Sequence, residues 1–578
     1  MTRDERWGRS YESFSEDPAL VEAYAAPAVQ GLQGDDPSDI TASDEVLATA
    51  KHWVGDGGTD YDPALAGSGY PIDQGITRVK SLEELRRLHV DPYLPAIEAG
   101  VGTIMPSYSA VQVGDGPVVR MTENEDLNVG LLKGELGFDG FLISDWEAVD
   151  KLPGGSYAEK VERSLTAGMD MVMAPYNFGA FIAAATDGVE AGRLPVSRVD
   201  DAVTRILTEK MDAGLFEQPF ADRSGVDEVG SPEHRAVARE AAAASQVLLA
   251  NGPVGEPVLP LAKEGRIYVA GSSADDLGRQ LGGWSISWQG GSGATTEGTT
   301  IADGIAEVAP GADVVVSPDA SADLTGADVG VVVVGERPYA EGQGDVGNNG
   351  FTLQLTGADR ATVAEVCSAV EDCVVLLATG RPLVLGDVLD SADAVVATWL
   401  PGTEGAGVAD VLFGDRPFTG RLPVTWPASA DQVPVDQGDD VYDPAFPYGW
   451  GLSTTAPRAE LEAVAADLGP GAVASRVRSA LRAPVWTPAG DVRDSSAARA
   501  TAGQRLLAVV EQTQRGRGED ADVVPAVVEV LRDVAQADVV AGDAAPGAAA
   551  LVADAEHALV SGDAVTAARL MAEVVAER

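Results

Sequence analysis

The chain has 578 residues, and its 40 basic against 90 acidic side chains leave a formal net charge of −50. Such a field repels nucleic acid and anionic membranes and favours neutral or cationic ligands. A hydrophobic content of 45% describes a globular chain too long for one core, with no apolar run near the roughly 20 residues of a membrane span.

The first 216 residues alternate strand-like apolar runs with helix patterns, the rhythm of a parallel sheet or barrel. Val46–Ala50 leads into Lys51-His52, Gly102–Met105 into Pro106-Ser107-Tyr108, Phe141–Ile143 into Ser144-Asp145-Trp146, and Met169–Met173 into Ala174-Pro175. Helix candidates lie at Leu82–Val90 and Val199–Leu207, the latter with Val199, Val203, Ile206 and Leu207 on one face. Polar or aromatic groups at successive strand ends suit the active face of a (β/α) barrel, but such a barrel closes with eight strands. Only four are clear here, so residues 1–216 are expected to form a partial (β/α)8 barrel.

A polar linker, 217–234, leads to an Ala-rich helix and a second βα series over 235–454. Its strands are expected at Ile267–Ala270, Val314–Val316, Val329–Val334, Val374–Ala378 and Ala394–Thr398, giving an open α/β sandwich domain. From about Thr455 the composition shifts to Ala, Val, Glu, Asp and Arg, and residues 455–578 are expected to be a helical tail without chemistry.

The cysteines Cys367 and Cys373 and the histidines His52, His89, His234 and His557 lack metal-ligand spacing. No metal or other cofactor is expected. The two cysteines form either a small disulfide loop, which implies an oxidising compartment, or two buried thiols. Met1-Thr-Arg-Asp-Glu-Arg-Trp is no signal peptide, and taken literally it assigns the chain to the cytoplasm.

Several stretches carry chemistry. Asp145 and Trp146 stand at a strand end, where a carboxylate beside an indole can hold a reactive group over a sugar ring; the alternative is a helix cap. Lys51 and His52 precede the glycine loop Gly55-Asp56-Gly57-Gly58 and can donate to sugar hydroxyls, or be a surface lysine and a core histidine. Glu336 and Glu341 follow an apolar strand at the end where open α/β sheets bind ligands, or form a solvated acidic loop. Trp284 and Trp288 lie among glycines, a pattern better suited to stacking on sugars than to core packing or to cradling phosphate.

In order, Arg6–Pro18 (Arg-Trp-Gly-Arg-Ser-Tyr-Glu-Ser-Phe-Ser-Glu-Asp-Pro), Lys51–Thr59, Met105–Tyr108, Ser144–Trp146, Trp284–Trp288, Glu336–Asp345 and Pro447–Leu452 resemble glycoside hydrolase family 3. The branch is that of β-glucosidases and exo-β-glucanases. The resemblance implies a retaining hydrolase that releases glucose from the non-reducing end of oligosaccharides, polysaccharides or aryl and alkyl β-glucosides. Asp145 would be the nucleophile and Glu341 the acid/base, meeting in an inter-domain cleft with their carboxyls about 5–5.5 Å apart. By the same resemblance Arg9, Lys51, His52 and Tyr108 hold the innermost sugar, and Trp146 with Trp288 and Trp284 clamps the next. Glu336 orients the loop or competes as acid/base. The segment Gly-Asp-Gly-Gly-Thr lacks the Pro-Gly-His of the N-acetylglucosaminidase branch, which stays a minor alternative with phosphorolysis.

Family members carry well over a hundred residues before the Arg-Trp-Gly-Arg segment, including the first barrel strands. Here Arg6 stands almost at the start. The expectation is therefore a truncated or misassigned start, or a barrel completed by another chain, and a chain that folds poorly or turns over slowly. The competing function class is a non-catalytic remnant or a sugar-binding or scaffolding module. The family's usual polymeric substrates and the cysteine pair point to an extracytoplasmic location.

Overall fold

The computed structural model describes residues 1–252, 256–468, 471–487, 490–493, 495–515, 523–542, 544 and 547–576. The chain packs as two units, Met1–Asp227 with Glu341–Phe351, and Glu228–Ala340 with Thr352–Arg578. It is a mixed α/β protein.

In the first unit Thr49–Trp53 pairs in parallel with Thr103–Pro106, and that strand pairs in parallel with Phe141–Leu142. Ile143 extends the series through a parallel bridge to Met171. Trp53, Ile104, Leu132, Leu142 and Met169 are fully buried around these strands, each stabilising the unit by roughly 1.5–3 kcal/mol on leaving water. Local signals set the helices that flank the sheet. Pro18 opens Pro18–Gln33 while the Asp17 side chain accepts from the Ala19 N–H, and Ser156 with Glu159 forms a capping box for Tyr157–Thr166. A small sheet beside these elements pairs Ile76–Val79 in parallel with Ala110–Val113, which runs antiparallel to Val119–Arg120.

Two local expectations are corrected here. The first strand is Thr49–Trp53 rather than Val46–Ala50, because its register with Thr103–Pro106 carries the ladder through Lys51 to Trp53; Val46 is 59% exposed. On the helix Val196–Asp212 the side turned inward carries Ala202, Arg205 and Ile206, leaving Val199, Val203 and Leu207 exposed. Arg205 decides that rotation, since its Nη1 donates to the carbonyls of Phe138, Asp139 and Gly140 where the strand Phe141–Leu142 begins.

The second unit holds a six-stranded sheet in the order Val247–Asn251, Ala394–Ala397, Asp372–Ala378, Val329–Gly335, Glu264–Ala270, Gly311–Val316. Only Val247–Asn251 runs antiparallel to its neighbour. Every residue of Val329–Gly335 is buried, as a parallel strand covered on both faces must be. Val331 and Val333 pack with Ile301, Ile305 and Val408 on one face; Val332 and Val334 pack with Val363, Val366 and Val388 on the other. A disulfide joins Cys367 to Cys373, between the helix Gly357–Cys367 and the strand Asp372–Ala378.

Helices from Pro457–Asp467 to Ala564–Ala576 share a core that includes Leu461, Val477, Leu506, Val527, Leu531 and Met571. A buried charge cluster borders it. Arg532, 2% exposed in its side chain, pairs with Glu529 and Glu556, and Arg421 lies 3.3 Å from Glu529 and 3.8 Å from Asp533. Burial first, then the charge of Glu460, pushes the Asp533 carboxyl up to about 8 against the pull of Arg421 and Arg532.

Candidate active site

Asp145 follows the strand Phe141–Leu142 and the Ile143 bridge. The Ser144 N–H donates to the Met171 carbonyl at 2.9 Å, and Ser144 Oγ accepts from the Met173 N–H at 3.0 Å. Those bonds fix the backbone immediately before the carboxylate. Asp145 Oδ1 accepts from the Trp146 N–H at 2.6 Å, and Oδ2 faces His52 Nε2 at 3.6 Å. The next helix is capped by Ser156, so Asp145 is not spent as its cap.

His52 lies inside the strand Thr49–Trp53, and its Nδ1 is 2.7 Å from Asp56 Oδ2. Asp56 Oδ1 accepts from Ser107 Oγ at 3.1 Å and Ser109 Oγ at 3.2 Å. Burial works against the charge on Asp56, but His52 and Arg9 outweigh it and hold the carboxyl below its ordinary range. An ionised Asp56 fixes the Nδ1 proton of His52 and aims Nε2 at Asp145. Lys51, next in the strand, is exposed.

Arg9 is 3% exposed. Its Nε and Nη2 each donate to Glu12 at 2.8 Å, a bidentate pair that fixes the guanidinium plane, and its Nη1 reaches Glu341 Oε1 at 3.5 Å. Glu341 belongs to the first unit although it lies in the second run of the chain. Its φ of 55° is left-handed, an uncommon conformation for glutamate that points to a constrained site. Burial raises the Glu341 carboxyl above its ordinary range, Arg9 opposes the rise and the charge of Asp145 adds to it. The two carboxylates therefore sense one another.

Tyr108 donates its hydroxyl hydrogen to the Trp146 carbonyl. Burial, and then Asp145, raise that hydroxyl well above its ordinary pKa, so it stays a donor. Lys151 Nζ sits 3.7 Å from the centre of the Tyr108 ring. Trp146 is 48% exposed and meets Tyr176 edge-on at 5.9 Å between ring centres.

Glu336, Trp284 and Trp288 belong to the second unit. Both Glu336 oxygens are engaged: Oε1 accepts from Arg381 Nε at 3.0 Å, and Oε2 from Thr379 Oγ1 and the Tyr339 hydroxyl at 2.8 Å each. Arg381 is fully buried and lies 4.6 Å from the centre of the Tyr339 ring. The Trp284 N–H donates to the Trp288 carbonyl at 2.9 Å, closing a tight loop that leaves both indoles about half exposed.

The first unit thus brings Arg9, His52, Tyr108, Asp145 and Glu341 together. Sequence reasoning missed Glu12, Asp56, Asp73 and Asp345. The spacing of four between His52 and Asp56 is a usable signal; Asp73 offers none. Two carboxylates in unlike surroundings, one of them raised, are the raw material for splitting nucleophilic and acid/base roles. No group of three or more His, Cys, Asp or Glu among the described residues is arranged to hold a metal ion, and no described helix is long and apolar enough to cross a membrane.

Residues 1–209 match the glycosyl hydrolase family 3 N terminal domain and residues 246–454 the glycosyl hydrolase family 3 C-terminal domain. The chain is 32% identical over 488 residues to a lysosomal beta glucosidase of Dictyostelium discoideum, covering 78% of this chain and 56% of that protein. It is 29% identical over 525 residues to a periplasmic beta-glucosidase of Salmonella typhimurium, covering 79% and 64%. The chain therefore spans less than two thirds of the length of these curated relatives. Among solved structures, a Q683A mutant of an exo-1,3/1,4-beta-glucanase from a Pseudoalteromonas species superposes with a TM-score of 0.71 at 38% identity, over 78% of this chain and 72% of that one. The chain belongs to glycoside hydrolase family 3.

Proposed function

We propose that the chain is a retaining glycosidase that releases β-linked glucose from the non-reducing end of β-glucosides or β-glucans. The observation that carries this reading is the shared environment of Asp145 and Glu341 within one unit, where burial and Asp145 keep Glu341 raised. In this reading Asp145 attacks the anomeric carbon while Glu341 gives its proton to the departing oxygen. Glu341 then takes a proton from the water that cleaves the glycosyl-enzyme ester, restoring both groups. Arg9, Lys51, His52 and Tyr108 hold the sugar hydroxyls, and Trp146 serves the leaving part of the substrate by stacking. Glu336, held by Arg381, Thr379 and Tyr339, shapes the root of the loop that carries Glu341.

The first unit is read as part of a (β/α)8 barrel, supported by its parallel strands and by functional side chains at their ends. An extracytoplasmic location is supported by the Cys367–Cys373 disulfide and by relatives named periplasmic and lysosomal. A second reading, sugar binding or scaffolding without turnover, is favoured by one observation. Thr49–Trp53 is an edge strand, beside an apolar cavity of about 300 Å³ lined by Phe14, Val21, Val29 and Leu32 among others.

Trapping decides between them. With a 2-deoxy-2-fluoro-β-glucoside bearing a good leaving group, the first reading expects a stable adduct on the peptide containing Asp145, found by mass spectrometry, and a loss of about 10⁴-fold in turnover for Asp145→Asn. Absence of an adduct with unchanged turnover in Asp145→Asn would defeat the nucleophile assignment.

A further inference from the structure

Three contacts hold the backbone that leaves Glu341 while its carboxyl points toward Arg9. The Gly342 N–H donates to Asp73 Oδ2 at 3.1 Å. The Gly342 carbonyl accepts from Asn348 Nδ2 at 2.6 Å. The Glu341 carbonyl lies against Gly8, where an added Cβ would sit only 2.1 Å from the oxygen. Gly8 is the residue before Arg9, so the same turn that aims the guanidinium supports the backbone of Glu341.

Behind these contacts stands Asp345, fully buried. Its Oδ1 accepts from the Gly8 N–H at 2.9 Å, and its Oδ2 from the N–H groups of Ile72 at 3.0 Å and Asp73 at 2.9 Å. One carboxylate therefore ties together the turn before Arg9, the backbone of Asp73 and its own loop. Asp73, 3% exposed, completes the frame by accepting from Trp7 Nε1 at 3.3 Å through Oδ1. Burial first, then Asp56 and Asp345, hold the Asp73 carboxyl well above its ordinary range.

We propose that Asp345 and Asp73 are positioning residues that set the height and direction of the Glu341 carboxyl for proton transfer. The inference rests on the acid/base reading of Glu341. Misplacing a reacting group by about 1 Å can cost on the order of 100-fold, so a frame made of backbone hydrogen bonds is matched to the task.

The test compares Asp345→Asn, Gly8→Ala and Glu341→Gln on two substrates, phenyl and 2,4-dinitrophenyl β-glucoside. The phenolate of the second departs without a proton, so an acid/base defect spares kcat/KM for that substrate, lowers it for the first, and leaves a slow second step that azide relieves. Asp345→Asn and Gly8→Ala are expected to lower kcat/KM for phenyl glucoside about 10- to 100-fold. They should change kcat/KM for dinitrophenyl glucoside less than about threefold and recover kcat with azide. Parallel losses on both substrates, or no loss on either, overturn the positioning role; so does failure of both variants to fold, which marks the frame as purely structural. If Glu341→Gln itself lacks the leaving-group signature, the acid/base reading fails. If Glu341→Gln shows it while the folded frame variants do not, only the positioning inference fails.

Discussion

Around Arg9 the first unit gathers Glu12, Asp56, Asp73 and Glu341; around Arg421 and Arg532 the second gathers Glu460, Glu529, Asp533 and Glu556. Both clusters are acid-rich, and their cations are largely buried. They differ in how the guanidinium is shared. Arg9 spends its bidentate edge on Glu12 and meets Glu341 at 3.5 Å, close enough to bias that carboxyl but not to neutralise it. Arg532 is clamped between Glu529 and Glu556. One arrangement leaves the Glu341 carboxyl raised above its ordinary range; the other ties helices to the sheet domain.

The largest effect expected from breaking this contrast is in the second cluster. Arg532→Ala leaves Glu556, only 12% exposed in its side chain, without its cation, and should cost about 3–5 kcal/mol of stability, read as a fall in the denaturant midpoint. Turnover per folded molecule should stay within about twofold; a large loss of turnover at unchanged stability would mean that the cluster is not structural. Next comes Asp56→Asn in the first cluster. It removes the charge that fixes the Nδ1 proton of His52 and is expected to lower kcat/KM for an aryl β-glucoside about 10- to 100-fold; an unchanged value would show that His52 holds its direction without Asp56.

The smallest effect is a pH dependence. With Asp533 pushed up to about 8, the folded chain holds a proton that the unfolded chain has released above about pH 4. That stabilisation is complete below the unfolded pKa and is lost as pH rises through about 8. Unfolding free energies at pH 6.5 and pH 8 should differ by roughly 1–2 kcal/mol for this reason, the value at pH 8 being the lower, and Asp533→Asn should flatten the difference. An identical slope in the variant would assign the proton elsewhere.

Much of the architecture is legible from period and composition. Val329–Val334 announces a strand buried on both sides, and the structure extends it by one residue to Gly335. Val247–Asn251 escapes notice because it follows directly on the Ala-rich helix Pro232–Ala244 and pairs antiparallel, through partners more than a hundred residues away. The small sheet built on Ile76–Val79 is missed because its strands are short and half exposed. At the candidate site, Asp145, Glu341, Arg9 and His52 are visible because their side chains sit in recognisable stretches. Asp73 and Asp345 act on backbone N–H groups, and a backbone donor has no letter in the sequence.

The first unit is completed by Glu341–Phe351, and that has a consequence for how the protein is made. When residues 1–227 have left the ribosome, the N–H groups of Gly8, Ile72 and Asp73 still lack the acceptor they share in Asp345. At ordinary elongation rates the wait for residue 345 is on the order of ten seconds, far longer than local folding. The loop bearing Glu341 is therefore a late part in biosynthesis, installed by the same segment that finishes the unit, so a nascent chain has Asp145 long before it has Glu341.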